Sequence, residues 1–339
     1  MKKSVRLVDL AAVLNVSTVT VSKALSNQKG VSEELREKIK KLADDMGYRQ
    51  PTAVKKTVVS SGYNIGIIIA DKFLGKFNSF YWQMYQAVTS KIAAKNCFSM
   101  LEVISETDEE DNILPKLIQE QKVDGVVVIG RMKDTYLKKI KEVSAIPNVY
   151  MDFYDEKQSC DAVISNSYFG AYVLTNYLFD MGHRKIGFVG TVLATDSITN
   201  RYFGFSKAMM EHSLIVKPEW VVEDRDTKTG KIDIDSNRLI VADMPTAYVC
   251  NCDLTASHVI KCLQENGYSV PHDISIVGYD NYLYPGLCDI GITTYEVDIH
   301  EMARHTVNTI IKKIDDKNYK SGIFIGQGRL VCKESVIRV

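Results

Sequence analysis

Hydrophobic residues near the start of the chain recur at helical spacing, in two short runs with polar residues between them. The runs are Leu7, Leu10, Ala11 and Leu14, followed by Val16, Val19 and Val21. Only Leu14-Asn15-Val16 is available to join them, so the spacing predicts two short helices in a tight corner, a helix-turn-helix. Asn15 is predicted at the corner, because asparagine adopts a left-handed backbone more readily than other non-glycine residues.

Residues that start and stop helices complete a three-helix domain. Ser17 is suited to cap the second helix, and Ser32 and Gly47 bound a third helix over 33–46. A domain this small buries little surface, so all three helices are expected to pack on one core. The outward residues of the second helix are Ser17, Thr18, Thr20, Ser22 and Lys23, and all but the lysine are small hydroxyl residues. Such a face lets a helix approach phosphates and base edges closely.

The distribution of charge favours the same interpretation. Residues 1–62 contain 12 Lys and Arg against 6 Asp and Glu, a net charge of +6. The whole chain has 42 of each kind, so residues 63–339 carry −6. Positive charge concentrated at one end suits a polyanionic partner such as double-stranded DNA. The alternative is a solvated three-helix domain that binds no nucleic acid.

From Tyr63 onward, apolar runs of strand length alternate with amphipathic stretches of helical length. The runs are 64–70, 98–104, 124–130, 147–153, 162–165, 185–190, 246–251 and 274–280. This alternation predicts an α/β fold with parallel sheets covered on both faces. Because 277 residues are too many for one small doubly wound sheet, two lobes are expected, with the second starting near Ser165.

Residues 5–49 resemble the headpiece of the lactose-repressor (LacI/GalR-type) family of bacterial transcription regulators. The matching stretches are VxLxDLAxxLNVSxxTVSKALS, VSEELREKI and LADDMGYR. The resemblance continues through NSYFGAYVLTNYLFDMGHRKIGFVG, RYFGF, AYVCNCD, SIVGYDN, ITTYEVD and GRLVCKES. It spans essentially the whole chain and implies a two-lobe sensor of the periplasmic-binding-protein type behind a helix-turn-helix headpiece.

The resemblance also implies domain boundaries. The headpiece takes 1–49, a hinge takes 50–62, and the sensor takes 63–339. Lobe 1 is expected at 63–163 plus 294–322, and lobe 2 at 164–293 plus 323–339. The chain would cross between the lobes near 163–166, 291–295 and 321–326.

Roles for headpiece residues follow from the same resemblance. Thr18, Val19 and Lys23 fall where the family reads bases, whereas Ser17, Thr20, Ser22 and Asn27 fall where it contacts phosphates. Two residues depart from the family pattern: Asn15 replaces a glycine, and Lys23 replaces an arginine. The second change converts a bidentate guanine contact into a single-point contact.

Residues 50–62, QPTAVKKTVVSSG, are short, basic and bounded by Pro51 and Gly62, a pattern typical of a linker. The resemblance implies a short helix here on DNA, with Val58 wedged into the minor groove. Leucine is usual at that position, and the β-branched valine disfavours helix. A plain flexible linker is the alternative.

Ligands of open parallel sheets bind beyond the carboxyl ends of the strands, where neighbouring loops diverge. The candidates there are Asp71, Phe80, Tyr81, Asp152, Asp196, Arg201, Asn251 and Asp280. The resemblance implies that Arg201 and Asp280 bind the effector and that Phe80 or Tyr81 stacks on a sugar. Helix packing and a structural ion pair are the alternatives, and Asp253 is expected to cap a helix. A sugar suits these groups best, although a purine or another small metabolite uses many of the same contacts.

Together these features predict a repressor whose DNA affinity is controlled by a small effector, bound as a homodimer to a pseudo-palindromic operator. We expect it in the bacterial cytoplasm, associated with the nucleoid. The alternative is a solute-binding protein or an α/β enzyme with an accessory helical domain. A solute-binding protein would need an export signal. An enzyme would need a nucleophile or a loop that binds a cofactor. We expect the cysteines to be reduced and His183 to have a structural role. We expect neither a cofactor nor a metal ion, and no segment that crosses a membrane.

Overall fold

The computed structural model describes residues 7–25, 30–46, 48, 62–74, 79–143, 146–155, 161–226, 230–283, 286–316 and 318–339. Asn27, Val58, Gly47 and all of the predicted hinge except Gly62 lie outside the described residues. The chain divides into two compact units, Met1–Ser61 and Gly62–Val339.

The first unit contains three helices: α1 (Leu7–Leu14), α2 (Thr18–Leu25) and α3 (Glu33–Asp45). Their shared core is Leu10, Ala11, Val21, Ala24, Ile39 and Ala43, which confirms that one core holds all three. Asn15 has a φ of 51°, so the left-handed corner is confirmed. Ser17 Oγ accepts the N–H of Thr20 at 3.0 Å and so caps α2. Val19 was expected within the apolar run, but it is 61 % exposed and lies outside this core.

The second unit begins with a lobe built on one sheet, which we call lobe 1. Its strands are β1 (Asn64–Ala70), β2 (Phe98–Ile104), β3 (Gly125–Ile129), β4 (Asn148–Met151) and β5 (Asp161–Ser165). Its helices are α4 (Asp71–Leu74), α5 (Phe80–Ala93), α6 (Glu106–Glu110), α7 (Lys116–Gln119) and α8 (Asp134–Val143).

Lobe 2 follows directly. Its helices are α9 (Ser167–Asp180), α10 (Asp196–Glu211), a 3₁₀ turn at Pro218–Trp220, α11 (Ser236–Leu239) and α12 (Asp253–Glu265). Its strands are β6 (Ile186–Val189), β7 (Val221–Val222), β8 (Ala247–Cys250), β9 (Ser275–Asp280) and β10 (Thr293–Val297). The chain then continues through α13 (Ile299–Asp315), β11 (Ile323–Gly326) and β12 (Gly328–Val331).

Each lobe is organised around a six-stranded sheet. The strand orders are β11-β5-β4-β3-β1-β2 and β12-β10-β9-β8-β6-β7. The pairings are parallel except β12 against β10, which is antiparallel. Ile67 of β1, for example, lies between Leu101 of β2 and Val127 of β3. The predicted α/β architecture of two parallel sheets with a helical headpiece is confirmed.

Two predicted boundaries between the lobes were misplaced. β10 pairs with β9 in lobe 2, so the second crossing lies at Asp298 rather than at 291–295. β11 pairs with β5 in lobe 1, so the third crossing lies at Gln327, just beyond 321–326. α13 packs on α5 and β4, which places 299–326 in lobe 1. The crossings follow strand pairing, which is a long-range contact that a local pattern does not encode.

The two edge strands of the lobe 1 sheet, β2 and β11, are more exposed than its inner strands. β2 lies at the edge of its sheet, and Phe98 and Val103 are 69 % and 42 % exposed. The prediction that the sheets are covered on both faces therefore does not hold along β2.

No single helix in the described part of the chain is long and apolar enough to cross a membrane. α1 and α2 pass the same test only as a pair, across a bend of 107°.

Candidate functional site

The outward face of α2 presents the residues expected to contact DNA. Ser17, Thr18, Val19, Ser22 and Lys23 are exposed, and Thr20 is half-buried. Val21 and Ala24 are buried and hold the opposite face of the helix on the headpiece core. The exposed methyl groups of Val19 suit an apolar contact with a base edge, such as a thymine methyl.

Two hydroxyl groups at the start of α2 hold each other in place. Ser17 Oγ lies 2.8 Å from Thr20 Oγ1 while it also accepts the Thr20 N–H. A hydroxyl group has one donor position and two acceptor positions. This pairing therefore orients the two side chains and still leaves them able to form further hydrogen bonds.

In the second unit, Arg201 of α10 is buried where the strands of lobe 2 end. Its Nη1 donates to the Asn251 carbonyl at 2.5 Å, and its Nη2 donates to Asp280 Oδ1 at 3.3 Å. The guanidinium carbon lies 3.8 Å from the centroid of the Tyr279 ring, a cation–π contact. Arg201 is 6 % exposed, and its Nε has no hydrogen-bond partner among the described residues. A buried donor without an acceptor is costly, so this atom is suited to a ligand oxygen or nitrogen.

Asp152 and Asp280 follow β4 and end β9, one in each lobe, and both have left-handed backbones, with φ of 70° and 100°. Backbone strain of this kind is concentrated at functional sites. Burial raises the pKa of Asp152 to about 6 and that of Asp280 to about 7, although the positive charge of Arg201 lowers both. Near neutral pH such carboxyl groups accept hydrogen bonds, and in their protonated form they also donate them. This behaviour suits a ligand that carries hydroxyl groups.

Two residues of this cleft, Asp224 and Arg225, were not among the sequence candidates. Asp224 is fully buried and accepts from Asn251 Nδ2 at 2.6 Å, Thr255 Oγ1 at 2.7 Å and Arg225 Nη2 at 2.6 Å. Burial alone would raise its pKa, but the hydrogen bond and charge of Arg225 lower that pKa to about 2. These residues follow β7, which is only two residues long and therefore left no periodic signal.

Asn251 is held inside this network. Its side chain donates to Asp224 and Thr255 and accepts from Arg225 Nη2 at 3.1 Å, while its carbonyl holds Arg201. The guanidinium groups of Arg201 and Arg225 are thus both hydrogen-bonded to Asn251. The structure places Asn251 where it positions Arg201 and Arg225.

The aromatic candidates have different surroundings. Tyr81 stacks on Phe73 at a centroid distance of 4.4 Å, and its hydroxyl donates to Asp152 Oδ2 at 3.0 Å. Phe80 is half-buried at the start of α5, with its ring 6.4 Å from that of Tyr282 in lobe 2. Asp71 is exposed at the start of α4, and no described contact joins it to Arg201.

The predicted cap of α12 was wrong by one residue. Cys252, rather than Asp253, is the N-cap, and its Sγ accepts from the N–H of Thr255. Asp253 is buried and accepts the backbone N–H of Tyr282 at 2.9 Å, so it fixes the loop that follows Asp280.

Asp196 is engaged by the opposite lobe. Arg131, which follows β3, donates to Asp196 Oδ2 at 2.6 Å, and the two side chains are 26 % and 29 % exposed. Beside this pair lies a cavity of about 10 Å³, lined in part by Asp152, Ser165 and Asn200. That volume holds about one water molecule, so a sugar-sized ligand does not fit in this cavity in the observed arrangement of the lobes.

Other chemistry-bearing groups in the described part of the chain have structural roles. His183 is buried, with Nδ1 2.9 Å from Thr246 Oγ1 and Nε2 3.1 Å from the Ile337 carbonyl. The six described cysteines are free, and no group of three or more His, Cys, Asp or Glu among these residues is placed to hold a metal ion.

Comparison with known proteins agrees with this organisation. A family model described as bacterial regulatory proteins, lacI family, matches residues 6–50, and one for a periplasmic binding protein-like domain matches 175–336. An HTH-type transcriptional repressor PurR of Aliivibrio salmonicida is 27 % identical over 331 residues, which cover 97 % of this chain and 98 % of that protein. The chain belongs to the lacI family of bacterial regulatory proteins. Another relative, a ribose operon repressor of Haemophilus influenzae, is 26 % identical over 332 residues and covers 97 % of each chain.

Solved lacI-type structures share the fold. A complex of the transcriptional regulator CelR with cellobiose has a TM-score of 0.68 at 19 % identity, covering 98 % of this chain and 99 % of that one. A lac repressor dimer bound to operator and the anti-inducer ONPF has a TM-score of 0.68 at 20 % identity, covering 99 % and 100 %. Because the relatives that align along the whole chain are transcriptional repressors, this lacI-family member is a transcription regulator rather than an enzyme or a solute-binding protein.

Proposed function

We propose that this chain is a repressor whose affinity for operator DNA is set by a small molecule bound between lobes 1 and 2. The observation that supports the effector site is the buried, unpartnered Nε of Arg201, with Asp280 beside it and Asp152 in the facing lobe. Donors and acceptors therefore converge from both lobes on one point, as a small-molecule site requires. The effector class that we favour is a sugar.

The charges in the cleft support an uncharged, hydroxyl-rich effector. Arg201 pairs with Asp280, Arg225 with Asp224, and Arg131 with Asp196. An anionic ligand would find no uncompensated positive charge among these described pairs. A purine is the second candidate, because a relative named HTH-type transcriptional repressor PurR aligns along the whole chain and aromatic rings lie in the cleft.

The control mechanism follows from the position of the site. A ligand that contacts both lobes favours one angle between them over another, and it shifts the equilibrium by its difference in affinity for the two. In a homodimer on a pseudo-palindromic operator, that angle would set the separation of the two hinges and hence of the two headpieces. Such a regulator acts on the chromosome, in the cytoplasm of a bacterium and in association with the nucleoid.

DNA binding is tested with duplexes selected from a random library by the full chain. Binding, followed by fluorescence anisotropy, should weaken steeply as salt is raised, because phosphate contacts release counterions. Salt-independent binding, or none, would refute the DNA-binding assignment.

Effector control is tested with Arg201→Ala, and exposed Arg304→Ala on α13 serves as the matched control. The selected duplex should bind both variants about as well as the unchanged chain. A sugar or nucleobase that alters DNA affinity in the unchanged chain should have no effect on Arg201→Ala. Equal loss of DNA binding and effector response would show that Arg201 acts only on folding.

A further inference from the structure

We propose that lobe 2 carries a second small-molecule site, separate from the cleft between the lobes, that binds an α-amino acid with an apolar side chain. The site is a cavity of about 440 Å³, lined by residues of α10, of α11 and of the segments around β6 and β7. Small-molecule sites have volumes of about 300–1,000 Å³, so this cavity is large enough to hold such a ligand. The inference concerns a ligand other than the proposed effector and does not depend on that effector.

The walls of the cavity are apolar and rest on the core. Val192, Val216, Val221 and Tyr202 line it, and all four are partly buried and packed against buried core residues. The Tyr202 ring meets the buried ring of Phe188 edge-on, with 5.4 Å between the centroids. Because these walls are held by the core, an apolar group that enters the cavity leaves water without a large rearrangement of the protein.

Two opposite charges lie side by side at the same cavity. Arg238 of α11 and Glu223, the residue after β7, both line it, with 3.0 Å between Nη1 and Oε2. Their side chains are 52 % and 64 % exposed, and no other side-chain hydrogen bond or ion pair engages either of them within the described part of the chain. A guanidinium group has five N–H donors and a carboxylate has about four acceptor positions. Each partner can therefore also bind a charged group of a ligand.

This pairing of charges selects the class of ligand. A ligand with a single charge would be attracted by one partner and repelled by the other. A zwitterion matches both, because its carboxylate can accept from Arg238 while its ammonium group donates to Glu223. An α-amino acid carries these two groups on one carbon atom, and its side chain would extend toward the apolar walls. Charge complementarity and the apolar walls together favour a hydrophobic amino acid.

The cavity and the network around Arg201 use opposite sides of the same two chain segments. Successive residues of an extended chain point to opposite faces. Val192 and Glu223 line the cavity, whereas their neighbours Thr191 and Asp224 are buried on the other side, where the Thr191 N–H donates to Asp224 Oδ1 at 2.9 Å. The two sites therefore share backbone but no lining side chain, and each can be altered without the other.

The test uses the full chain and measures binding by calorimetry and thermal shift. The probes are L-leucine, L-methionine and L-phenylalanine, with two analogues of leucine that lack one charge: 4-methylpentanoate has no ammonium group, and 3-methylbutylamine has no carboxylate. The site variants are Arg238→Gln, Glu223→Gln and the cavity-filling Val216→Trp, and the controls are Arg304→Gln, which removes an exposed ion pair of α13, and Arg201→Ala. Far-UV circular dichroism and the ligand-free melting midpoint establish that each variant folds.

We expect at least one of the three amino acids to bind the unchanged chain. Both leucine analogues should bind about tenfold or more weakly than leucine, because each lacks one charge-assisted hydrogen bond. Arg238→Gln should weaken the bound amino acid about tenfold or more without weakening 3-methylbutylamine, and Glu223→Gln should do so without weakening 4-methylpentanoate. Val216→Trp should abolish binding, whereas Arg304→Gln and Arg201→Ala should remain within about threefold of the unchanged chain.

Four results would overturn the proposal. They are no binding of any of the three amino acids, equal binding of leucine and its singly charged analogues, unchanged binding by both folded charge variants, and loss of binding in Arg201→Ala. The last result would place the amino acid in the cleft between the lobes instead. None of the four bears on DNA binding by the headpiece, which the anisotropy assay above tests separately.

Discussion

The ion pair between Arg131 and Asp196 joins the two lobes, and its removal should make them easier to separate. Arg131 follows β3 in lobe 1, and Asp196 begins α10 in lobe 2, with 2.6 Å between Nη1 and Oδ2. Arg131 also contacts Asp134 of its own lobe at 3.2 Å, but Asp134 is 74 % exposed. One arginine therefore offers an interlobe pair and an exposed control pair in the same molecule.

The two pairs differ in expected strength because they differ in burial. At an effective dielectric constant of about 20, unit charges about 4 Å apart attract by about 4 kcal/mol, and desolvation and side-chain ordering offset most of this. Exposed pairs retain about 0.2–1 kcal/mol. With each side chain roughly three-quarters buried, we expect a coupling free energy of about 1–2 kcal/mol for Arg131 with Asp196, and below about 0.5 kcal/mol for Arg131 with Asp134.

Double-mutant cycles measure these coupling free energies. Arg131→Gln, Asp196→Asn and Asp134→Asn, alone and in the two pairs, are unfolded in urea. Fluorescence follows Trp82 and Trp220, the only two tryptophans, so the signal reports the two lobes and not the headpiece. Small-angle scattering should show a larger radius of gyration for Arg131→Gln and Asp196→Asn than for Asp134→Asn. Equal coupling in the two cycles, or equal radii, would refute the interlobe role.

Four further predictions concern single residues. Asn15→Ala should destabilise the headpiece by about 1 kcal/mol and Asn15→Gly should not, because alanine resists a φ of 51°; thermal unfolding by circular dichroism checks this. Burial raises the pKa of Asp280 to about 7, so the folded chain retains a proton that the unfolded chain releases near pH 4. Stability in urea should therefore fall as the pH rises from about 4 to about 7, and Asp280→Asn should reduce that slope; an unchanged slope would count against the raised pKa. Asp224→Ala should cost about 3–5 kcal/mol because it leaves Arg225 without an ion-pair partner, whereas Asp243→Ala, which removes an ion pair open to solvent, should cost much less in the same titration. Lys23→Ala should relax the base preference at one operator position, because Lys23 falls where a guanine contact is expected; an unchanged base preference with a salt slope reduced by about one would show a phosphate contact instead.

The structure of the headpiece could largely be predicted from the local sequence pattern. The spacing of apolar residues, the asparagine between them and the residues that start and stop helices predicted three helices, a shared core and a left-handed corner, and the structure confirms each. These features depend on contacts within a few dozen residues. Val19 is the exception, because the packing of both α1 and α3 against α2 decides which valines of α2 are covered.

The candidate site in the sensor was predicted only in part. Strand ends pointed to Asp152 and Asp280, and resemblance pointed to Arg201, which the structure brings together with Tyr81. Asp71 also ends a strand, but it is exposed and separate from that group. A residue's place at a strand end thus identifies the correct edge of the sheet without specifying which side chains turn inward.

By itself, the sequence determined the helical headpiece, the alternation of strands and helices, and the edge of the sheets where a ligand would bind. All of these follow from short-range periodicity and from residues that start or stop helices. Only the tertiary structure decided that Asp196 pairs with Arg131, that Asn251 positions two arginines, and that Phe80 meets Tyr282. These contacts join residues tens to hundreds of positions apart, so they depend on strand order and on the crossings between lobes rather than on any local pattern.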